Sequence, residues 1–132
     1  MSGVDVARLT KLPLFGELDH HDLSRVAGWV SEERFAEGDV LIEEGGLPTQ
    51  VYLLEAGTVD VTHEERLIAS LGPGDVVGEI ALIDPQRRTA TVTATSAVRA
   101  VALGVEDFAS MDAEMPEITR QLREIAERRR ER

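Results

Sequence analysis

Apolar residues near the amino terminus recur at the three- and four-residue spacing of helices. The first stretch, residues 6–12, follows Asp5, whose side chain can cap a helix, and stops at Pro13. A second stretch follows Asp19 and is amphipathic, and its apolar face consists of Leu23, Val26, Ala27 and Val30. The pattern predicts two short helices within residues 1–31, with Trp29 packing between the second helix and the next part of the fold.

From residue 32 to residue 104 the pattern changes to short strands separated by turns that contain glycine, proline and aspartate. Strands are predicted on both sides of the Gly38-Asp39 turn and at residues 51–54, 58–62, 67–71, 89–95 and 98–103. The last two are expected to pair with each other around residues 95–97. Because little helix separates the strands, the sequence predicts an antiparallel sandwich or barrel, with no evident internal repeat.

After Gly104 the apolar spacing becomes helical again. One short helix is predicted over residues 105–111, and a second helix begins at Pro116 with a stripe of Ile118, Leu122 and Ile125. This stripe is narrow for a helix that is buried in a core. We therefore expect the helix to close over a ligand as a lid or to pair with its copy in a second chain, the alternative being permanent packing on the barrel.

The amino-acid composition excludes some classes of function and disfavours others. The 132 residues predict one domain, residues 1–132, and the absence of cysteine excludes disulfides, thiolate catalysis and cysteine-based zinc sites. The formal net charge is −11, and residues 1–119 hold 22 acidic and only 8 basic side chains. Such an acidic body disfavours direct binding to nucleic acid.

Two further features of the sequence concern the cellular location and the source organism of the protein. No apolar run approaches the length of a membrane span, so a cytoplasmic protein that does not contact the membrane is expected. Arginine outnumbers lysine 13 to 1, which favours a bacterial source with a GC-rich genome.

The segment from residue 77 to residue 92 has the chemistry of an anion site. Gly78 allows a close backbone approach, and the amides that open the following short apolar turn point outward. The arginine pair Arg87-Arg88, brought back by the loop, adds a fork of charged donors. Glu79 is a carboxylate in a site that favours negative charge, and it fits a ligand that carries both a phosphate and hydroxyl groups.

This segment resembles the phosphate-binding cassette of cyclic-nucleotide-binding domains, the family of catabolite activator proteins and protein kinase A regulatory subunits. The resemblance covers Gly78 to Ile83 and Arg88 to Val92, and the turn motifs around Gly38, Gly57 and Gly74 also resemble the family's β-roll. It implies a mainly β fold, an antiparallel, jelly-roll-like β-roll over residues 32–104. Helices flank the roll at both ends, with a short cassette helix between two strands.

The resemblance also implies a ligand and a set of site residues. Arg88 corresponds to the arginine that pairs with the cyclic phosphate, and Glu79 to the glutamate that accepts from the ribose 2′-hydroxyl. The implied ligand-binding set is Gly78, Glu79, Ile80, Ala81, Arg88, Thr89 and Ala90. Many members carry proline where this chain has Arg87, so Arg87 is the alternative phosphate ligand. Thr89 resembles the threonine that follows the phosphate arginine in cGMP-responsive members. Bacterial relatives with a hydroxyl residue there often use cAMP, and because the composition favours a bacterial source, we expect cAMP first and cGMP second.

We therefore expect a regulatory module without catalytic activity or bound cofactor, which acts through an effector protein, through self-association or as a fragment of a longer protein. Catabolite activator proteins carry a helix-turn-helix domain after the long helix, and residues 1–132 contain no counterpart of it, so direct DNA binding by these residues is not expected. One alternative is a cupin-like metal enzyme on a jelly roll, for which the available histidines are His20, His21 and His63. Another is a degenerate β-roll that only mediates contacts between proteins.

Overall fold

The computed structural model describes residues 4–46, 49–79 and 90–130. These residues form two antiparallel four-stranded sheets flanked by helices, which confirms the predicted β-roll. The strands are β1 Val30–Phe35, β2 Val40–Ile42, β3 Gln50–Ala56, β4 Val59–His63, β5 Arg66–Leu71, β6 Val76–Val77, β7 Thr91–Ala94 and β8 Val98–Gly104. The α-helices are α1 Val6–Leu9, α2 His20–Ala27, α3 Phe108–Glu114 and α4 Pro116–Arg130, with 3₁₀ turns at Pro13–Phe15 and Val105–Asp107.

The amino-terminal helices begin at the two predicted caps. Asp5 Oδ1 accepts a hydrogen bond from Ala7 N at 2.9 Å, and Asp19 Oδ1 accepts one from Asp22 N at 2.8 Å. The second helix is shorter than predicted, because it ends at Ala27 and Val30 already opens β1. Val30 is nevertheless buried as expected, because β1 places it in the same buried cluster as Leu23 and Val26 of the helix.

The strand order is β1-β8-β3-β6 in one sheet, here called sheet A, and β2-β7-β4-β5 in the other, sheet B. The expected pairing of the last two strands is therefore wrong, because β7 lies in sheet B and β8 in sheet A. Residues 95–97 form a corner between sheets and not a hairpin turn. Hydrogen bonds hold this corner against Thr58, whose amide donates to Ser96 Oγ at 3.0 Å and whose hydroxyl lies 2.6 Å from Thr95 Oγ1.

The chain makes the opposite crossing, from β3 in sheet A to β4 in sheet B, at Gly57. This glycine has φ +88°, and a Cβ built on it would lie 2.1 Å from the carbonyl oxygen of Ala97. The two crossings therefore lie side by side with backbone against backbone, an approach that only glycine allows.

Two separate clusters of buried residues form on the two faces of sheet A. Between the sheets lie Leu41, Ile42, Tyr52, Leu54, Val59, Val77, Val92, Ala94, Val98, Ala100 and Ala102. Between sheet A and the helices lies a second cluster that includes Leu9, Phe15, Val26, Val51, Leu53, Val101, Leu103, Met111, Ile118 and Leu122. Since both faces of sheet A are covered, the central part of β3 is apolar without alternation.

The two halves of the roll are topologically equivalent, although no sequence repeat was evident. Replacing each strand βn by βn+4 exchanges the two sheets and preserves every neighbour relation among the described strands. The turns before β2 and β6 show the equivalence in detail. Gly38 has φ +93° and its N–H donates to Ala94 O at 2.8 Å, while Gly74 has φ +91° and donates to Leu54 O at the same distance.

The helical layer is joined to sheet A by a charged contact as well as by packing. Arg8 on α1 donates to both carboxylate oxygens of Glu55 on β3, at 2.5 and 3.0 Å, and the Glu55 side chain is only 7% exposed. This hydrogen-bonded pairing with Glu55 is the main cause that raises the pKa of Arg8.

Candidate functional site

The predicted binding segment starts at the end of β6. Val77 of this strand is buried and pairs with Tyr52 of β3 in sheet A. Gly78 follows with φ +85°, a conformation that favours glycine, and Glu79 comes next with only 3% of its surface exposed. A carboxylate buried to this degree needs hydrogen-bond donors around it. The structure therefore places the predicted ribose-binding carboxylate inside the molecule and not in solvent.

The segment ends in the other sheet. Ala90 is half-buried and leads directly into β7, which lies between β2 and β4 in sheet B. The two ends of the segment are thus held in different sheets. Of the predicted ligand-binding set, the structure places Gly78, Glu79 and Ala90, whereas Ile80, Ala81, Arg88 and Thr89, and the alternative Arg87, lie outside the described residues.

Next to the start of β7 lies a polar network that the sequence did not indicate. The amide of Glu44, in the loop after β2, donates to Thr91 Oγ1 at 3.0 Å. The Glu44 carboxylate accepts from Glu64 N at 3.0 Å and lies 3.4 Å from His63 Nδ1. No sequence motif connects Glu44 with Thr91, which lies 47 positions later in the chain.

The residues predicted to act as a lid are packed in the helical core. Ile118 and Leu122 are 3% and 0% exposed, and Ile125 packs against the same cluster. The apolar face of α4 is wider than the predicted stripe, because Ala126 and Thr119 are also buried. Thr119 can be buried because its hydroxyl donates to Asp112 Oδ1 and to Pro116 O. The expectation of a stripe too narrow for core packing is therefore wrong.

The elbow between α3 and α4 is held by side chains. Both Arg123 guanidinium Nη atoms donate to the Asp112 carboxylate, at 3.1 and 3.2 Å, and the same guanidinium lies over the Phe108 ring at 5.0 Å. Hydrogen bonds from Arg123, and then from Thr119, hold the pKa of the Asp112 carboxyl below its usual range.

The histidines that a cupin-like metal site would need are exposed on the surface. His20 and His21 open α2, and His63 ends β4. In the described part of the chain, no three histidine, aspartate or glutamate side chains are grouped as metal ligands. Trp29 packs against the helical core as predicted and also borders an open polar cleft of about 370 Å³, at the end of sheet A where β3 begins and β8 ends.

Comparison with known proteins identifies the family. Residues 32–114 match the profile described as the cyclic nucleotide-binding domain. The sequence is 35% identical over 100 residues to the cAMP-dependent protein kinase regulatory subunit of Hypocrea atroviridis, an alignment that covers 76% of this chain and 22% of that protein. The chain belongs to the cyclic nucleotide-binding domain family.

Solved structures agree with this assignment. The N-terminal domain of a transcriptional regulator from Streptomyces coelicolor superimposes with a TM-score of 0.72 at 34% identity, covering 94% of this chain and 90% of that one. The regulatory subunit of a cAMP-independent protein kinase A from Trypanosoma brucei gives a TM-score of 0.81 at 24% identity, covering 92% and 44%, and so supports the fold alone.

The relatives limit what can be carried over to this chain. It spans between about a seventh and a third of the length of the curated relatives that it matches. Those relatives come from eukaryotes and from bacteria, so the bacterial source stays a prediction. In the described residues, no helix has the length and apolar character that crossing a membrane requires.

Proposed function

We propose that this chain is a regulatory module that binds a cyclic nucleotide between β6 and β7 and carries out no chemistry itself. The observation that carries the proposal is the pair Gly78 and Glu79, a positive-φ glycine followed by a buried carboxylate directly after β6. Membership of the family supports the same reading. As a cytoplasmic regulator, the module would act through an effector protein or through self-association.

Each predicted site residue has a role that fits the chemistry of the ligand. Arg88 is the partner of the cyclic phosphate, because a guanidinium donates two parallel hydrogen bonds to an anion. Glu79 recognises the ribose, since a carboxylate near an anion is favourable only when hydroxyl donors satisfy it. Amides around Ile80 and Ala81, with Thr89 and Ala90, complete the phosphate contacts.

We propose cAMP as the preferred ligand. The curated relatives include several cAMP-dependent protein kinase regulatory subunits, at up to 35% identity. The name of the Trypanosoma brucei protein, which calls its kinase cAMP-independent, shows that the fold also occurs without this dependence. Because Thr89 has a hydroxyl that could reach a guanine amino group, cGMP is the second candidate.

Titration calorimetry with cAMP and cGMP tests the proposal, with guanosine as a ligand that lacks the phosphate. We expect saturable binding of cAMP and weak or no binding of guanosine. Tighter binding of cGMP than of cAMP by more than tenfold, about 1.4 kcal/mol, would overturn the ligand choice. Absence of binding by all three would overturn the function and favour a protein-interaction role.

Arginine variants test the phosphate assignment. Arg88→Ala should cost on the order of 2–4 kcal/mol of cAMP affinity, because one partner of a poorly solvated charge pair is lost. Arg88→Lys should restore only part of it, since the planar fork is missing. Arg87→Ala is the matched control and should bind as the wild type does. If Arg87→Ala abolishes binding and Arg88→Ala does not, the two roles are reversed.

The ribose assignment has its own test. Glu79→Gln and 2′-deoxy-cAMP remove opposite partners of one proposed hydrogen bond. Each change should weaken binding, and the two together should cost little more than either one. Independent, additive losses would show that Glu79 does not contact the 2′-hydroxyl.

A further inference from the structure

We propose that Glu44 and Thr91 are positioning residues for the anion-binding segment, which they anchor at the start of β7. This inference rests on the proposed function, because it concerns the strand that follows Arg88. Glu44 and Thr91 are not among the predicted ligand contacts, and they would act through the backbone that leads out of the segment.

The geometry shows how the start of β7 is held on both sides. Toward β4, Thr91 pairs with Thr62 at the end of that ladder. Toward β2, the ladder is interrupted by an irregularity, and its outermost pair joins Ile42 and Val92. Beyond that pair, the amide of Glu44 donates to the hydroxyl of Thr91 at 3.0 Å. A side-chain hydroxyl thus extends the attachment of β7 to the β2 side by one residue.

Glu44 is itself fixed by a third element. One of its carboxylate oxygens accepts from Glu64 N at 3.0 Å, in the turn between β4 and β5. The other oxygen lies 3.4 Å from Nδ1 of His63, the last residue of β4. The loop after β2, the β4–β5 hairpin and the start of β7 therefore meet at a single side chain. Because this side chain is 32% exposed, its contacts support the loop and do not form a buried core.

The anchor is close enough to the phosphate arginine to matter. Thr91 lies three positions after Arg88, and three residues span at most about 10 Å. A strand end that is already fixed loses less conformational entropy when an anion is bound, and this smaller loss increases the affinity. Without the Thr91 hydroxyl, the first attachment of β7 on the β2 side would be the Ile42–Val92 pair, one residue further into the strand.

A purely structural role would look different. If the Thr91 hydroxyl only satisfied the Glu44 amide, its removal would lower the stability of the free protein and leave the affinity of the folded protein unchanged. Affinity and stability must therefore be measured on the same variants.

Thr91→Val keeps the shape of the side chain and removes the acceptor, whereas Thr91→Ser keeps the acceptor. Thr93→Val is the matched control, because Thr93 is two residues further along β7, equally half-buried, and its hydroxyl makes no hydrogen bond with a described residue. Each variant is titrated with cAMP by calorimetry, and the melting temperature of the ligand-free protein is recorded.

We expect Thr91→Val to weaken cAMP binding about three- to tenfold, the worth of one ordinary hydrogen bond. Thr91→Ser and Thr93→Val should bind as the wild type does. In an Arg88→Ala background, Thr91→Val should cause little further loss, since the anchor acts through the arginine. If Thr91→Val should fail to fold, Glu44→Ala, which frees the loop from the hairpin, is expected to weaken binding in the same direction.

Three results would overturn the inference alone: affinity of Thr91→Val equal to that of Thr93→Val, no rescue by Thr91→Ser, or the same loss with and without Arg88. Absence of cAMP binding by the wild type is a different failure. It would overturn the proposed function and, with it, the role assigned to the anchor.

Discussion

At the scale of single residues, Gly57 has a strict steric requirement. Its conformation is left-handed, and a Cβ would lie 2.1 Å from the Ala97 carbonyl oxygen. Gly57→Ala should therefore destabilise the fold by about 2–4 kcal/mol, because the two crossings must separate to admit the methyl group. Urea unfolding followed by circular dichroism measures this loss.

Gly45→Ala is the control for Gly57→Ala. Gly45 has a similar φ of +83°, but a Cβ there would meet no atom within 4 Å. Its substitution should cost only the backbone strain, about 1–2 kcal/mol. Equal losses at the two positions would show that the crossings can separate freely and that the close approach has no energetic importance.

Several single-residue features could be predicted because their causes are local. Asp5 and Asp19 cap helices that start at the next residue, and the β4–β5 turn lies between two recognisable strands. The positive φ of Glu64 and Glu65 in that turn, +51° and +68°, was not predicted. The burial of Thr119 was not predictable in this way. It depends on Asp112, which lies on a different helix and offers the acceptor that makes burial possible.

At the scale of elements, the Asp112 carboxylate joins α3 to α4 at the bend between them. The pKa of Asp112 is lowered in the folded protein, first by Arg123 and then by Thr119. A lowered folded-state pKa gives stability that is present above the unfolded value, about 3.9, and is lost as the pH falls through the folded value. Asp112→Asn should thus be less stable than the wild type at pH 7, with a difference that shrinks at pH 3.

Urea midpoints at these two pH values measure the effect. Glu106→Gln is a suitable control, because the Glu106 side chain is exposed and makes no hydrogen bond or ion pair with a described residue. Its midpoint should follow that of the wild type at both pH values. A difference for Asp112→Asn that stays constant down to pH 3 would mean that the charge of Asp112 does not hold the bend.

The carboxy-terminal helix remains our candidate for transmitting the signal, but its packing changes the experiment. Deleting residues 117–132 would expose the core, since Leu122 is fully buried, so loss of binding after deletion would have two causes. Hydrogen exchange avoids this problem. On addition of cAMP, amides of residues 117–128 should gain protection, because a ligand that favours a closed state stabilises the lid.

The elbow adds a second expectation to this experiment. Since Asp112, Thr119 and Arg123 join the two helices, amides of α3 should change together with those of α4. The amides of α2 serve as the internal reference. Unchanged exchange in α4, alongside clear protection at Gly78 and Glu79, would show that the helix is static and that the signal leaves by another route.

Most of the elements were predictable from the sequence, although the short strand β6 was not, and how the strands pair was predictable only in part. Residues 95–97 have the composition of a hairpin turn, yet the chain changes sheets there. The deciding contacts come from Thr58, 37 and 38 positions earlier in the sequence. The site shows the same limit. The chemistry of the residues and the family resemblance indicated Gly78 and Glu79, whereas the Glu44–Thr91 contact depends on the finished sheet.

At the scale of the whole molecule, the equivalence of the two halves makes a quantitative prediction. Gly38 and Gly74 occupy corresponding turns with φ +93° and +91°, and an alanine Cβ would meet nothing at the first and only ordinary contacts with Pro13 at the second. Each Gly→Ala variant should lose about 1–2 kcal/mol of unfolding free energy, with nearly equal losses and additive effects in the double variant.

Urea unfolding of the two single variants and the double variant measures these losses. A much larger loss at one turn than at the other would show that the equivalence is confined to the topology and does not extend to energetics.

The same arrangement determines how the chain can fold. Each of the six ladders among the described strands joins a strand from β1–β4 to a strand from β5–β8, so neither half contains a ladder of its own. Only β4 and β5 are joined by a tight turn, and the other ladders must wait until distant parts of the chain meet. Slow folding with a late, all-or-none transition is the consequence, because loop closure must precede the contacts that compensate for it. A nascent chain that has emerged only as far as β4 has no strand partner to pair with.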